Sequence, residues 1–181
     1  MKDILNIKPC IIFFTGLSAS GKSTLSRALK DKFKKLNITN VVNLDGDLFR
    51  KKIKDFNYKN KSRNKIGDLK IKLGTKYKLQ GNIVLISGIA HDKSWRNKTK
   101  KNTKDYFEIF LKCSLKTCQK RDFKKQYTKA KKGIIKNFVG IHEAYEVGKS
   151  HDLSINTDRL SKVKSVNNII TFLKKKNSSE I

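Results

Sequence analysis

Apolar positions along this chain gather into short dense runs separated by polar, lysine-rich stretches. Cys10-Ile11-Ile12-Phe13-Phe14-Thr15 is a run that stops at Gly16. It shows no polar alternation, the pattern of a strand covered on both faces. From 22 to 36 the spacing changes: Leu25, Leu29, Phe33 and Leu36 recur at the helical interval and share one face. Val41 to Leu44 predicts a second strand, ending at Asp45-Gly46-Asp47. Residues 64 to 80 predict a helix. Ile83 to Ser87, introduced by Gly81-Asn82, and Phe107 to Cys113 predict two more strands. Residues 114 to 121 predict a short helix with Ser114 as its cap. Leu153 to Ile155 reads as an edge strand, and Val166 to Leu173 begins a last helix, with 174 to 181 expected to fray. Residues 122 to 140 are basic and contain Gly133 and Gly140, and are expected to form a mobile flap outside the core. Alternating strands and helices predict an α/β fold: a doubly wound parallel sheet in one domain over residues 1–181, with a basic lid at about 122–140.

Charge adds a question about partners. Lys and Arg number 43 against 15 Asp and Glu, a formal net charge of +28. One reading is a surface for polyanions; the other is codon bias, because the lysines are scattered among Asn and Ile without a dense basic tail. The chain carries no recognised RNA- or DNA-binding module, so nucleic acid is not expected as a partner. A nucleic-acid-binding protein is kept as the competing class. Cys10, Cys113 and Cys118 include no CxxC pair. Cys10 and Cys113, at apolar runs, are expected to be buried thiols in a reducing compartment. No run approaches the roughly 18 apolar residues of a membrane span. With no signal-peptide core in 1–9, a cytoplasmic protein without membrane contact is expected.

The chemistry starts at Gly16-Leu17-Ser18-Ala19-Ser20-Gly21-Lys22-Ser23, which matches G-x-x-x-x-G-K-[ST] at every fixed position. A strand precedes it and a helix begins at it. That context lets backbone N–H groups and a helix N-terminus face phosphate oxygens. Lys22 reaches the β- and γ-phosphates of ATP, and Ser23 ligates Mg²⁺. Asp45 and Asp47 follow the second strand, on the side where parallel sheets bind ligands. Either can accept the proton of an attacking hydroxyl, and Asp47 can also hold the metal; an Asp-Gly turn without function is the plainer alternative. Arg121, Lys124 and Lys125 in the basic segment can close over phosphates and exclude water, or belong to a solvated charge run. Phe138 beside Gly140 is read either as a base-stacking ring or as a core residue.

Together these residues resemble the adenylyl-sulfate kinase family over roughly 10 to 158. The resemblance rests on Gly16 to Thr24, on Leu44-Asp45-Gly46-Asp47 with Arg50, and on an ordered series. That series runs from Arg121-Asp122 through Tyr127, Lys129-Ala130 and Lys136-Asn137-Phe138-Val139-Gly140-Ile141 to Tyr145-Glu146. It implies transfer of the ATP γ-phosphoryl group to the 3′-hydroxyl of adenylyl sulfate (APS), and a dimer. It implies an ATP site at Gly16, Ser18, Ala19, Ser20, Gly21, Lys22, Ser23, Thr24 and Arg121, with Lys22, Asp45 and Asp47 catalytic. It also implies an acceptor site at Arg50, Tyr58, Arg63, Ile89, Lys124 and Phe138, in which Phe138 and Tyr58 sandwich the base. Ala19 stands in place of the family's Gly in the loop, and the other departures concentrate on the acceptor side: Ser62 and Ile66 replace Asp and Asn, and Ile89-Ala90-His91 stands for the family's Ile-Ser-Pro. They keep a second acceptor in view, the cytidine diphosphoramidate used by a relative in capsule synthesis. His91 is either an acid/base group beside the acceptor or a surface-loop histidine.

Overall fold

The computed structural model describes residues 7–45, 49 and 59–178. Its sheet has five parallel strands in the order β2-β3-β1-β4-β5: β1 (Ile11–Thr15), β2 (Val41–Leu44), β3 (Ile83–Ser87), β4 (Tyr106–Lys112) and β5 (Leu153–Asn156). The helices between them are α1 (Lys22–Lys35), α2 (Asn60–Leu79), α3 (Lys93–Asn102), α4 (Leu115–Lys120), α5 (Gln126–Lys131) and α6 (Lys162–Ser178).

Strand side chains alternate between faces, and each face has its own core. Ile12, Phe14, Leu85, Ile109 and Leu111 pack with Leu25, Leu29 and Phe33 of α1 and with Ile169 and Leu173 of α6. Ile11, Phe13, Val84 and Ile86 face the other way, against Trp95 of α3 and Ile71 and Tyr77 of α2. Each such Leu, Ile or Phe contributes about 1.5–3 kcal/mol by leaving water. The sheet is therefore covered on both faces, which is why β1 and β3 read as unbroken apolar runs. β1 lies between β3 and β4, so the chain crosses to both sides of it, and the crevice beyond its carboxyl end is where such sheets bind ligands.

A third cluster corrects the expected flap. Tyr127, Ala130 and Phe138 are buried with Cys118, and Leu17 and Ala19 pack against them. Residues 122–140 therefore contain a helix and a small core of their own, seated under the loop after β1. The i, i+3 pair Tyr127 and Ala130 supplies its apolar side, while Lys124, Lys125, Lys129, Lys131 and Lys132 remain exposed. Other expectations shift. Helix α2 starts at Asn60, not 64, and α6 runs from Lys162 to Ser178, past the expected fraying point. Helix α3 was not expected at all. Cys118 is buried with Cys10, whereas Cys113 is only partly covered. Among the described residues no helix is long and apolar enough to cross a membrane.

Candidate active site

Backbone geometry builds one side of the crevice. Gly16 has φ +142°, and a Cβ there would come within 2.8 Å of the Leu111 carbonyl oxygen, so only glycine lets β1 turn out of the sheet at this point. Ala19 holds φ +59° without being glycine. That left-handed conformation costs roughly 1–2 kcal/mol for an L-residue. It is held from outside: Tyr127 Oη donates to Ser18 O at 3.0 Å, and Ser18 Oγ donates to Gln126 Oε1 at 2.8 Å. From the sheet, Thr157 Oγ1 donates to Ser20 O at 3.0 Å. Helix α1 then begins at Gly21 with no side-chain cap and no acidic residue in its first turn. A helix start of this kind favours an anion through its first N–H groups and positive dipole end. Lys22 Nζ meanwhile bonds back to the loop, 3.0 Å from Gly16 O and 2.5 Å from Leu17 O.

The loop faces a cavity of about 1090 Å³. Ser18 to Thr24, Asp45, Arg63, Ile89, Arg121, Lys124 and Phe138 all line it, so elements far apart in sequence bring most of the expected site residues to one place. Gly16 lies beneath the loop rather than on the wall. Asp47, Arg50 and Tyr58 lie outside the described residues. Arg121 is tied to the end of β5 by Nη2 donating to Thr157 O at 2.8 Å. Arg63 is 7 % exposed and donates from Nη2 to Asn137 O at 2.8 Å, which joins α2 to the segment carrying Phe138. Phe138 is 1 % exposed and stands edge-on to Tyr127 with ring centroids 5.0 Å apart. It is both a core residue and a wall of the cavity.

Sequence reasoning missed several wall residues. Lys70 is 4 % exposed and donates from Nζ to Ser87 O at 2.8 Å, at the carboxyl end of β3. Trp95 fills the space beside α2, where its Nε1 donates to Asp68 Oδ1 at 2.8 Å. Gly67 makes room for it, because a Cβ there would overlap the Trp95 ring. No local pattern signals such residues: Lys70 looks like any other lysine of a lysine-rich helix. His91, expected either beside the acceptor or on a surface loop, is 7 % exposed, with Nε2 2.9 Å from Glu143 Oε2. The surface alternative is corrected. Burial and then the nearby Arg63 charge hold its pKa below the usual value of 6.5, against the pull of Glu143.

The model of the adenylylsulphate kinase family matches residues 8–156. This chain belongs to the adenylylsulphate kinase family. As a member of that family it is a phosphotransferase acting on a hydroxyl group. The adenylyl-sulfate kinase of Clostridium acetobutylicum is 33% identical over 175 residues, covering 96% of this chain and 87% of that one. That of Oceanobacillus iheyensis is 38% identical over 176 residues, covering 94% and 87%. The solved structure of the Mycobacterium tuberculosis APS kinase in complex with AMPPNP and APS is 29% identical with a TM-score of 0.86, covering 93% of this chain and 99% of that one. The Mycobacterium tuberculosis kinase shares with this chain the parallel-sheet fold described above.

Proposed function

We propose that this chain transfers the γ-phosphoryl group of ATP to the 3′-hydroxyl of adenylyl sulfate, giving ADP and 3′-phosphoadenylyl sulfate. The observation that carries the reading is one cavity lined by the phosphate loop and by the Arg63–Phe138 wall. The acceptor oxygen forms a bond to the γ-phosphorus as the bond to the β–γ bridging oxygen breaks, and ADP leaves with that electron pair. The loop N–H groups, the α1 N-terminus and Lys22 meet the charge on the phosphates. Lys22 reaches them by exchanging the loop carbonyls it now binds for phosphate oxygens. Arg121 adds positive charge at the ATP end. The hydroxyl proton passes to a carboxylate of the Asp45–Asp47 pair, Asp47 being the expected base.

Phosphoryl transfer of this kind uses Mg²⁺. Among the described residues no cluster of three or more His, Cys, Asp or Glu groups could hold a metal. The donor set suits magnesium, which takes one or two protein oxygens together with phosphates and water. Ser23 at the cavity wall, with Asp45 or Asp47, would hold it. When bound there, it would supply positive charge to the triphosphate.

On the acceptor side, Arg63 would meet the anionic end and Phe138 would stack on the base, with Tyr58 as the opposite face. The apolar Ile66 and Trp95 on this wall favour a second reading, in which the acceptor's terminal group is not sulfate, as in cytidine diphosphoramidate. Purified protein, given Mg·ATP and each acceptor in turn, tests both readings by ADP release. Phosphorylation of adenylyl sulfate is expected. Turnover of cytidine diphosphoramidate with adenylyl sulfate inert would replace the first reading by the second.

A further inference from the structure

Behind the acceptor wall lies a buried polar assembly that phosphate binding does not need. Arg96 and Glu108 are each 1 % exposed, and Arg96 Nε donates to Glu108 Oε1 at 3.0 Å. The rest of the guanidinium is spent on backbone: Nη1 donates to Ala90 O at 2.6 Å and Nη2 to Glu146 O at 2.5 Å. Its face lies over the Tyr145 ring, 5.1 Å from the centroid. Thr15 Oγ1 donates to Ile89 O at 2.7 Å. The threonine has one proton and the carbonyl must receive it, so at the 2.7 Å contact between the hydroxyls Tyr145 is the donor. Glu146 N donates to His91 O at 3.1 Å. Three consecutive carbonyls, those of Ile89, Ala90 and His91, are thus each held by a separate donor.

We propose that Thr15, Arg96 and Tyr145 form a clamp that sets the backbone of residues 89–91 as a fixed wall of the acceptor site, and that Arg96 and Thr15 are positioning residues for acceptor binding. The proposal rests on the acceptor half of the reading above. Ile89 and Ala90 line the cavity, while the clamp atoms lie behind them. In a trans peptide the N–H points away from the C=O, so holding the Ile89 and Ala90 carbonyls also aims the N–H groups of Ala90 and His91 away from the clamp. Ala90 has φ +42°, which an alanine keeps only where its surroundings impose it. Lysine at position 96 would preserve the charge facing Glu108, but it lacks the planar fork that reaches Glu108, Ala90 and Glu146 together. Thr15 closes the clamp from β1, the strand that feeds the phosphate loop. The carboxyl end of one central strand therefore sets the loop for the donor and the wall for the acceptor.

The test uses Thr15→Val, Thr15→Ser and Arg96→Lys in the full chain, read by steady-state kinetics with each substrate varied. Thr15→Val is expected to raise the acceptor KM about tenfold, because the Ile89 carbonyl loses its donor and the wall shifts. The ATP KM should stay within about twofold and Thr15→Ser should restore the acceptor KM, a split that general loosening of the fold would not give. Arg96→Lys is expected to act in the same direction. If it fails to fold, the Thr15 pair still decides. An unchanged acceptor KM in Thr15→Val, or an equal rise for both substrates, overturns the proposal. Should the wild type leave adenylyl sulfate untouched, the functional reading fails separately. The clamp is then judged by amide exchange of a peptide spanning 88–92, expected to quicken in Thr15→Val and not in Thr15→Ser. Unaltered exchange in Thr15→Val would overturn it.

Discussion

The two halves of the cavity are built by different means. The half proposed for the donor is one contiguous segment, Gly16 to Thr24, and it is built largely from backbone. Its glycines, its uncapped helix start and the left-handed Ala19 place N–H groups that any nucleoside triphosphate can use. The half proposed for the acceptor is assembled from α2, the loop after β3, α3 and residues 136–146, and it is built from side chains tied across elements to backbone carbonyls and to one another. Arg63 is tied to Asn137, Lys70 to Ser87, and Trp95 to Asp68. A backbone device tolerates sequence drift at its variable positions. A side-chain assembly changes its specificity with each replacement, and the departures at Ile66, Ala90 and His91 lie there.

The largest effect is expected in the donor half. Lys22→Ala should lower kcat at least about a hundredfold while the melting temperature holds, because charge stabilisation dominates phosphoryl transfer. Near-normal turnover in that variant would remove the phosphate loop from the mechanism. Phe138→Ala comes next, and it should register twice. Acceptor KM should rise about tenfold to a hundredfold through lost stacking. Stability should also fall by about 3–5 kcal/mol, because the ring is buried against Tyr127. Denaturant titration beside kinetics separates the two. Weakened ATP binding with an intact acceptor KM would assign residues 136–141 to the donor side.

Gly67→Ala is a smaller test of the acceptor wall. In an ordinary helix this change gains about 0.5–1 kcal/mol. Here the added methyl meets the Trp95 ring, so overpacking should win and leave a net loss of about 1–2 kcal/mol. A stabilised variant would mean that Trp95 is free to move aside. The smallest effect is a pH dependence. His91 has a lowered pKa in the fold, so the unfolded chain binds more protons below pH 6.5. Its contribution to stability is therefore present above that value and is lost as pH falls below it. Melting curves of His91→Gln and wild type should converge as pH is lowered from 6.5, relative to their separation at pH 7.5. Parallel curves would contradict the buried neutral histidine.

The same contrast governs what could be read from the chain. β1 and β3 were legible because burial on both faces leaves uninterrupted apolar runs, β2, β4 and β5 through shorter runs broken by Asn43, Glu108 and Ser154, and the phosphate loop because its parts are adjacent. Helix α3 was not, since its buried face is Trp95, Arg96 and Thr99, two of them polar. Helix α5 was hidden in lysines, with Tyr127 and Ala130 as its only buried residues. Lys70, Arg96 and Glu108 take on meaning only when the sheet brings α2, α3 and β4 around one crevice. The resemblance supplied Arg63, and the residues themselves marked Phe138, though neither gave the contacts that hold them.

The proposed reaction is transfer of a phosphoryl group from ATP to adenylyl sulfate within one cavity. Its most direct test follows ³²P from γ-labelled ATP with adenylyl sulfate as sole acceptor and Lys22→Ala as control. Label is expected in 3′-phosphoadenylyl sulfate, matched one for one by ADP and absent in the control. ATP binding with no labelled product, or with label only in inorganic phosphate, would contradict it.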